Sequence, residues 1–107
     1  MDASGNSGKG TRFKLNVNMT PIEGYSLADL EWEVLVFTEP KGKVLTVKKA
    51  QAKQVDNNNY IICVDSAICG AGLYYITLIV KIRDSDFSDG WRIEQKTICT
   101  GVNIATM

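Results

Sequence analysis

The chain has 107 residues, with 12 basic and 12 acidic side chains, so its formal net charge is zero. That length suits one domain with one hydrophobic core, and a hydrophobic content of 45% is enough to form it. A protein that binds nucleic acid usually carries a basic excess, because phosphate neutralisation supplies most of its affinity. The balanced charge therefore argues against a nucleic-acid partner. No apolar run reaches the roughly 18 residues needed to cross a bilayer, so we expect no membrane association.

Residues 1–10 are rich in Gly, Ser and Asn, which predicts a flexible N-terminal arm ahead of a single domain at residues 11–107. The arm lacks the apolar core of a secretory signal, so we expect the chain to stay in the cytoplasm of the cell that makes it. Gly8 and Lys9 resemble part of a phosphate-binding loop. However, Ala3 and Gly10 stand where that motif needs Gly and Ser or Thr, so we expect no nucleotide site.

Alternation of apolar and polar residues with period two is typical of strands that bury one face. In the first such run, Phe13, Leu15 and Val17 share one face while polar residues occupy the other. Ser26 to Asp29 forms a pattern that caps a helical turn, but we expect the strand after it to override the cap. Four further alternating runs lie at residues 30–38, 44–49, 60–65 and 91–104.

Residues 73–83 are apolar on both faces, which predicts a central strand that is buried on both sides. Turn-forming residues at 39–42, 56–59 and 84–90 separate the strands. Six or seven short strands, without a longer helical pattern, predict an all-β fold. We expect an antiparallel, immunoglobulin-like β-sandwich rather than a barrel, because the long linker at 18–30 suits a crossing between two sheets. Its expected core includes Trp32, Val34, Val36, Ile62, Val64, Tyr74, Ile76, Leu78 and Ile98.

The residue types that most enzymes need are missing or badly placed. The chain contains no His, so nucleophilic catalysis lacks its usual base and a zinc set lacks one of its usual ligands. Glu31, Glu33 and Glu94 alternate outward on strands, whereas a hydrolase needs two acids facing each other across a cleft. We therefore expect no enzyme activity and no cofactor.

The acidic segment at residues 84–90 is the sharpest local feature. Asp84, Asp86 and Asp89 offer oxygen ligands of the kind that calcium prefers. Their spacing misses that of an EF-hand loop, because the third acid is one place late and no Glu follows at the right distance. The favoured interpretation is a hairpin turn in which Asp side chains cap backbone N–H groups, and a metal site is the alternative.

The three cysteines are odd in number and form no C-x-x-C motif. Cys63 and Cys99 lie inside strand-like runs, so we expect both to be small buried hydrophobic residues. A disulfide between Cys69 and either of them is the alternative.

Two features point to a partner-binding surface. Five lysines lie between residues 41 and 53. The strand at 43–49 among them is predicted to be a sheet edge, because lysine side chains on an edge strand prevent non-specific pairing with other strands. Trp91 follows a turn directly, so we expect it to be partly exposed, while the other aromatic residues pack in the core. The arm at 1–10 either orders on a partner or remains an inert tail. The candidate partner-binding residues are Lys43, Thr46, Lys48, Lys49 and Trp91.

Three stretches together carry a family resemblance: GTRFKL at 10–15 with MTPI at 19–22, VDNNNYI at 55–61, and DSDFSDGWR at 84–92 with TGVNI at 100–104. They resemble small structural proteins of tailed phages and prophages of gut bacteria. More loosely, the order of LADL at 27–30, GLY at 72–74, Asp89-Gly90 and GVNI at 101–104 resembles the immunoglobulin-like N-terminal domain of phage baseplate upper proteins.

The resemblance implies a non-enzymatic structural or adaptor component of a phage-type particle, in the baseplate, the tail or the head. Such a protein acts through contacts with protein partners, including further copies of itself, and would pass from the cytoplasm into the virion. The alternative function is a free-standing recognition module that binds a protein or a glycan, the latter through Trp91 and the acidic loop. The resemblance carries no catalytic residues.

Overall fold

The structure, a computed structural model, describes residues 10–39 and 43–105. The expectations for residues 1–9 of the arm and for residues 40–42 of the turn lie outside the described residues. Two 3₁₀ turns, at Leu27–Asp29 and Lys49–Gln51, accompany the longer elements. In chain order these are β1 (Arg12–Asn18), β2 (Glu31–Glu39), β3 (Leu45–Lys48), β4 (Lys53–Asp56), β5 (Asn59–Asp65), the short helix α1 (Ser66–Cys69), β6 (Gly72–Arg83) and β7 (Trp91–Ile104).

The seven described strands form two antiparallel sheets that pack face to face. One sheet has three strands in the order β1-β5-β4, and the other has four in the order β3-β2-β6-β7. The chain crosses between the sheets after β1, β3 and β5, and it makes a hairpin within a sheet at each of the other connections. The predicted all-β antiparallel sandwich is confirmed.

The core lies between the two sheets, on the alternate side chains that the sequence pattern indicated. Eight of the nine expected core residues are buried, and Ile98 is half-buried against the same cluster. Two edge-to-face aromatic pairs join the sheets: Trp32 with Tyr60 at 4.9 Å between ring centroids, and Phe13 with Tyr74 at 5.0 Å. Such pairs add about 0.5–1.5 kcal/mol each to the stabilisation from apolar burial.

The linker between β1 and β2 differs from the sequence expectation, because the strand does not override the helical turn at Leu27–Asp29. The backbone N–H and the hydroxyl of Ser26 both donate to Asp29 Oδ2 at 2.9 Å, which closes the turn. Leu27 is fully buried, and its carbonyl accepts from the Trp32 indole N–H at 3.1 Å. The turn forms because Leu27 is buried in the core and the Asp29 carboxylate accepts from the backbone N–H of Ser26.

β6 is central, as predicted, but only one of its faces is covered. Tyr74, Ile76, Leu78, Val80 and Ile82 are buried against the three-stranded sheet. On the opposite face Tyr75 and Ile79 are only half-buried, and Lys81 and Arg83 are exposed. The expectation of burial on both sides is therefore wrong, because no second layer of the described chain packs on this face.

Candidate protein interaction surface

The outer face of the four-stranded sheet carries several apolar side chains, and nothing in the described chain covers it. Its apolar members are half-buried, except Ile93, which is 48% exposed. Cross-strand pairing sets Phe37 opposite Tyr75, whereas Ile79 lies opposite Gln95 and Ile93 opposite Lys81. We call this set the outer apolar face: Leu35, Phe37, Tyr75, Ile79, Trp91 and Ile93.

Aromatic side chains organise one end of this face. The rings of Phe37 and Tyr75 stack with a centroid distance of 5.7 Å and an interplanar angle of 12°. Cys99 stands opposite Tyr75 on β7, and its thiolate charge raises the pKa of the Tyr75 hydroxyl. This end of the face therefore presents two stacked aromatic rings.

Trp91 lies at the other end, where two cations cover its indole ring. The Arg83 guanidinium carbon is 4.4 Å from the ring centroid, and Lys81 Nζ is 5.5 Å from it. These cation–π contacts hold the ring in place. They also occupy a ring face that a sugar would need for stacking, which weighs against the glycan-binding interpretation. Trp91 is half-buried, in line with the partial exposure expected for it.

A concavity of about 350 Å³ beside Trp91 brings three of the five candidate partner-binding residues together. Lys48, Lys49 and Trp91 line it, with Glu31 and Glu33 among the other lining residues. Cross-strand pairing sets Glu33 opposite Lys48 and Glu31 opposite Lys81. Lys49 also lines the concavity, so its lining has three lysines and two glutamates and carries a small positive excess.

The lysine-rich strand is at a sheet edge, as predicted, although β3 spans only Leu45–Lys48. Lys43, Thr46 and Lys48 are exposed there. Lys49 is different, because its Nζ donates to the carbonyl oxygens of Ala28 at 2.9 Å and Leu30 at 2.7 Å. This lysine ties the β3–β4 connection to the linker before β2, so its role in the structure is to hold two loops together.

The acidic loop adopts the geometry of the favoured turn interpretation. Asp84 Oδ1 accepts from the backbone N–H of Asp86 at 3.0 Å, and Asp89 Oδ1 accepts from that of Trp91 at 3.1 Å. The other carboxylate oxygen of Asp84 accepts from Arg92 at 3.1 Å. Within residues 10–39 and 43–105, no group of three or more Cys, Asp or Glu side chains is placed to hold a metal ion.

The expectation that Cys63 and Cys99 are buried is wrong. Cys63 and Cys99 are exposed, on the outer faces of the three-stranded and four-stranded sheets respectively, whereas Cys69 is the buried one. The reason is strand alternation: Ile62 and Val64 turn inward, so Cys63 between them must turn outward. All three thiols are free. Burial raises the pKa of the Cys69 thiol, whose Sγ lies 3.6 Å from the Val36 carbonyl oxygen.

An ion cluster around Arg92 fixes the start of β7, and sequence reasoning missed it. The guanidinium donates to Asp84 at 3.1 Å, to Glu94 at 3.0 Å and to Glu23 from the distant linker. The hydrogen bond to Glu23 raises the pKa of Arg92 above its usual value. Glu23 and Arg92 are 69 positions apart in the chain, and no local pattern in the sequence links them.

No protein-family model, curated protein or solved structure matches the chain. The described helices are all too short to cross a membrane.

Proposed function

We propose that this protein is an immunoglobulin-like, non-enzymatic assembly module that binds protein partners through its outer apolar face. We further propose that it serves as a structural or adaptor component of a phage-type particle. The observation that carries the first proposal is the outer apolar face itself, and the family resemblance noted in the sequence supports the second.

The strand order supports the immunoglobulin-like assignment. An immunoglobulin sandwich has strands A, B, E and D in one sheet and C, F and G in the other, with C′ added beside C in variable-type domains. Taking β1 as strand B makes the two observed orders B-E-D and C′-C-F-G. The order therefore agrees throughout, with no counterpart of strand A among the described residues.

Two core details support the same assignment. Immunoglobulin domains bury a Trp on strand C, and many carry a Tyr near the start of strand F whose hydroxyl bonds back to the preceding corner. Trp32 is buried in β2, and Tyr74 near the start of β6 donates to the Gly70 carbonyl oxygen at 2.6 Å. The inter-sheet disulfide of antibody domains has no equivalent here, because the three thiols are free.

The composition of the outer apolar face supports a protein partner. The face combines aromatic side chains at its two ends with aliphatic ones between them, and charged residues such as Lys48, Glu33 and Lys81 lie beside these apolar side chains. Protein interfaces have this arrangement, with an apolar and aromatic centre inside a polar rim. Contiguous apolar surface on a small domain commonly marks an interaction site.

The experiment compares two isoleucines that lie half-buried on opposite outer faces of the sandwich, Ile79 on β6 and Ile61 on β5. Particles are purified from cells that make the wild-type chain, Ile79→Glu or Ile61→Glu, and the amount of chain per particle is measured by quantitative mass spectrometry. We expect Ile79→Glu to lose incorporation and Ile61→Glu to retain it, with both variants folded by circular dichroism.

Equal incorporation of both folded variants would refute the role of the outer apolar face. Absence of the wild-type chain from all particles would refute the phage-type assignment.

A further inference from the structure

β7 presents a long sheet edge that no other described strand covers. It pairs with β6 on one side only and ends the sheet order β3-β2-β6-β7. The pairing with β6 is regular from Trp91 to Cys99, and the register shifts beyond that point, where Gly101 has a φ of 79°. The regular stretch contains no Pro, so its outward N–H and C=O groups can accept a further strand.

The side chains of this stretch form two rows. The outer row, which belongs to the exposed side of the sheet, has Gln95 at its midpoint between Trp91 and Cys99. The inner row contains Glu94 and Lys96 on either side of that midpoint, and both are exposed. A carboxylate and an ammonium group therefore flank the centre of the edge symmetrically.

We propose that a second copy of this chain pairs antiparallel along β7, with a twofold axis at Gln95, so that two sandwiches share one continuous eight-stranded sheet. A twofold axis places each residue opposite its mirror position about the axis. The axis at Gln95 is the one that pairs the whole regular stretch with itself. It sets Glu94 opposite Lys96 of the second copy, and Lys96 opposite Glu94, so that two opposite-charge pairs form.

The charge pattern selects this register over its neighbours. Moving the axis to Glu94 sets two carboxylates against each other, and moving it to Lys96 does the same with two ammonium groups. Like charges directly opposite each other destabilise a strand pair. An axis at Ile93 would pair Arg92 with Glu94 of the second copy, but it leaves residues 96–99 of the regular stretch unpaired. Within its own chain Arg92 already binds Glu23, Asp84 and Glu94, and the contact with Glu94 uses Oε2, which leaves Oε1 for Lys96 of the second copy.

In the chosen register Ile93 faces Thr97 of the second copy, Trp91 faces its Cys99, and no two like charges meet in the outer row. The inference goes beyond the proposed function and does not depend on it, since the dimer uses the edge of the sheet and the particle contact uses its face.

The experiment uses charge reversal and mixing, read out by sedimentation velocity over a range of concentrations. We expect the wild-type chain to form a dimer of about twice the 11.8 kDa chain mass. Glu94→Lys places two ammonium groups opposite each other in both pairs, and Lys96→Glu places two carboxylates there. Each single variant should raise the dimer Kd by about tenfold or more.

An equimolar mixture of the two single variants distinguishes this register from a general charge effect. In the mixed dimer both pairs are again opposite in charge, so the mixture should recover the wild-type Kd. The matched controls are Lys14→Glu and Glu39→Lys, which make the same charge changes at exposed positions outside β7 and should leave the dimer intact.

A wild-type chain that stays monomeric at its highest soluble concentration overturns the inference. So does a dimer that survives both single variants, or a mixture of folded variants that remains monomeric. Particle incorporation that depends on Ile79 in a monomeric wild-type chain would leave the proposed function standing and the dimer refuted.

Discussion

The Tyr74 hydroxyl gives a quantitative test of how the end of the sandwich is held together. Tyr74 is fully buried, and its hydroxyl donates to the Gly70 carbonyl oxygen at 2.6 Å in the corner between α1 and β6. Tyr74→Phe removes this hydrogen bond but keeps the ring and its edge-to-face contact with Phe13 at 5.0 Å. The substitution therefore isolates the hydrogen bond from the packing.

The expected loss follows from the surroundings of the two partners. A net hydrogen bond contributes about 0.5–1.5 kcal/mol, and a buried acceptor left unpaired costs about 1–3 kcal/mol. Gly70 is exposed, so water can replace the hydroxyl at its carbonyl oxygen, and the lower range applies. We expect Tyr74→Phe to lower the free energy of unfolding by about 1 kcal/mol, the middle of that range, or the melting temperature by roughly 4–8 °C.

The assay is equilibrium urea denaturation followed by tryptophan fluorescence, with thermal melts in parallel. The denaturant dependence (m-value) should stay unchanged, because the substitution alters neither the fold nor the surface that unfolding exposes. Tyr25→Phe is the matched control, since Tyr25 is 42% exposed and should lose no more than about 0.5 kcal/mol. If Tyr74→Phe lies within that same limit, the corner does not depend on this hydrogen bond and the reasoning is wrong.

Two further predictions concern a close backbone approach and acid stability. Gly72→Ala should lower the free energy of unfolding, measured by urea denaturation, by about 1–3 kcal/mol, because Gly72 has a φ of 130° and an added Cβ would lie 2.7 Å from the Glu39 carbonyl oxygen. Ala71→Ser, at the exposed neighbouring position, is the control. Equal stability of the two variants would contradict the prediction. The hydrogen bond from the Ser26 backbone N–H lowers the pKa of Asp29 below its usual 3.8, and the one from the Asn59 side chain does the same for Asp56. The unfolded chain therefore binds more protons near and below pH 3.8, so melting temperature should fall as the pH drops through that region, and Asp56→Asn should flatten this fall. An unchanged slope in that variant would contradict the assignment to Asp56.

The strands and the core were predictable wherever one face of a strand is buried. Val34 and Val36 alternate with half-buried neighbours, so the period-two pattern carries the information directly. β4 was missed because all four of its side chains are exposed, which leaves no alternation to detect. Its strand conformation depends on backbone pairing with β5, which the sequence pattern does not show.

The candidate surface was only partly predictable, because sequence patterns do not show which apolar face finds a partner layer. The two apolar faces of residues 73–83 predicted a strand buried on both sides, yet Tyr75 and Ile79 lie on a face that nothing described covers. Lys49 counted as a surface charge in the sequence, and its contacts with Ala28 and Leu30 depend on chain crossings that no local pattern encodes.

The reactivity of two native thiols tests the central claim, that partners bind the outer apolar face. Cys99 is exposed on that side of the sandwich and Cys63 is exposed on the opposite side, while Cys69 is buried with a raised pKa. In the free chain at low concentration, a maleimide reagent should label Cys63 and Cys99 but label Cys69 only after unfolding. In the purified particle we expect Cys99 to become protected and Cys63 to stay reactive. Equal labelling of Cys63 and Cys99 in the particle, or protection of Cys63 alone, would contradict this expectation.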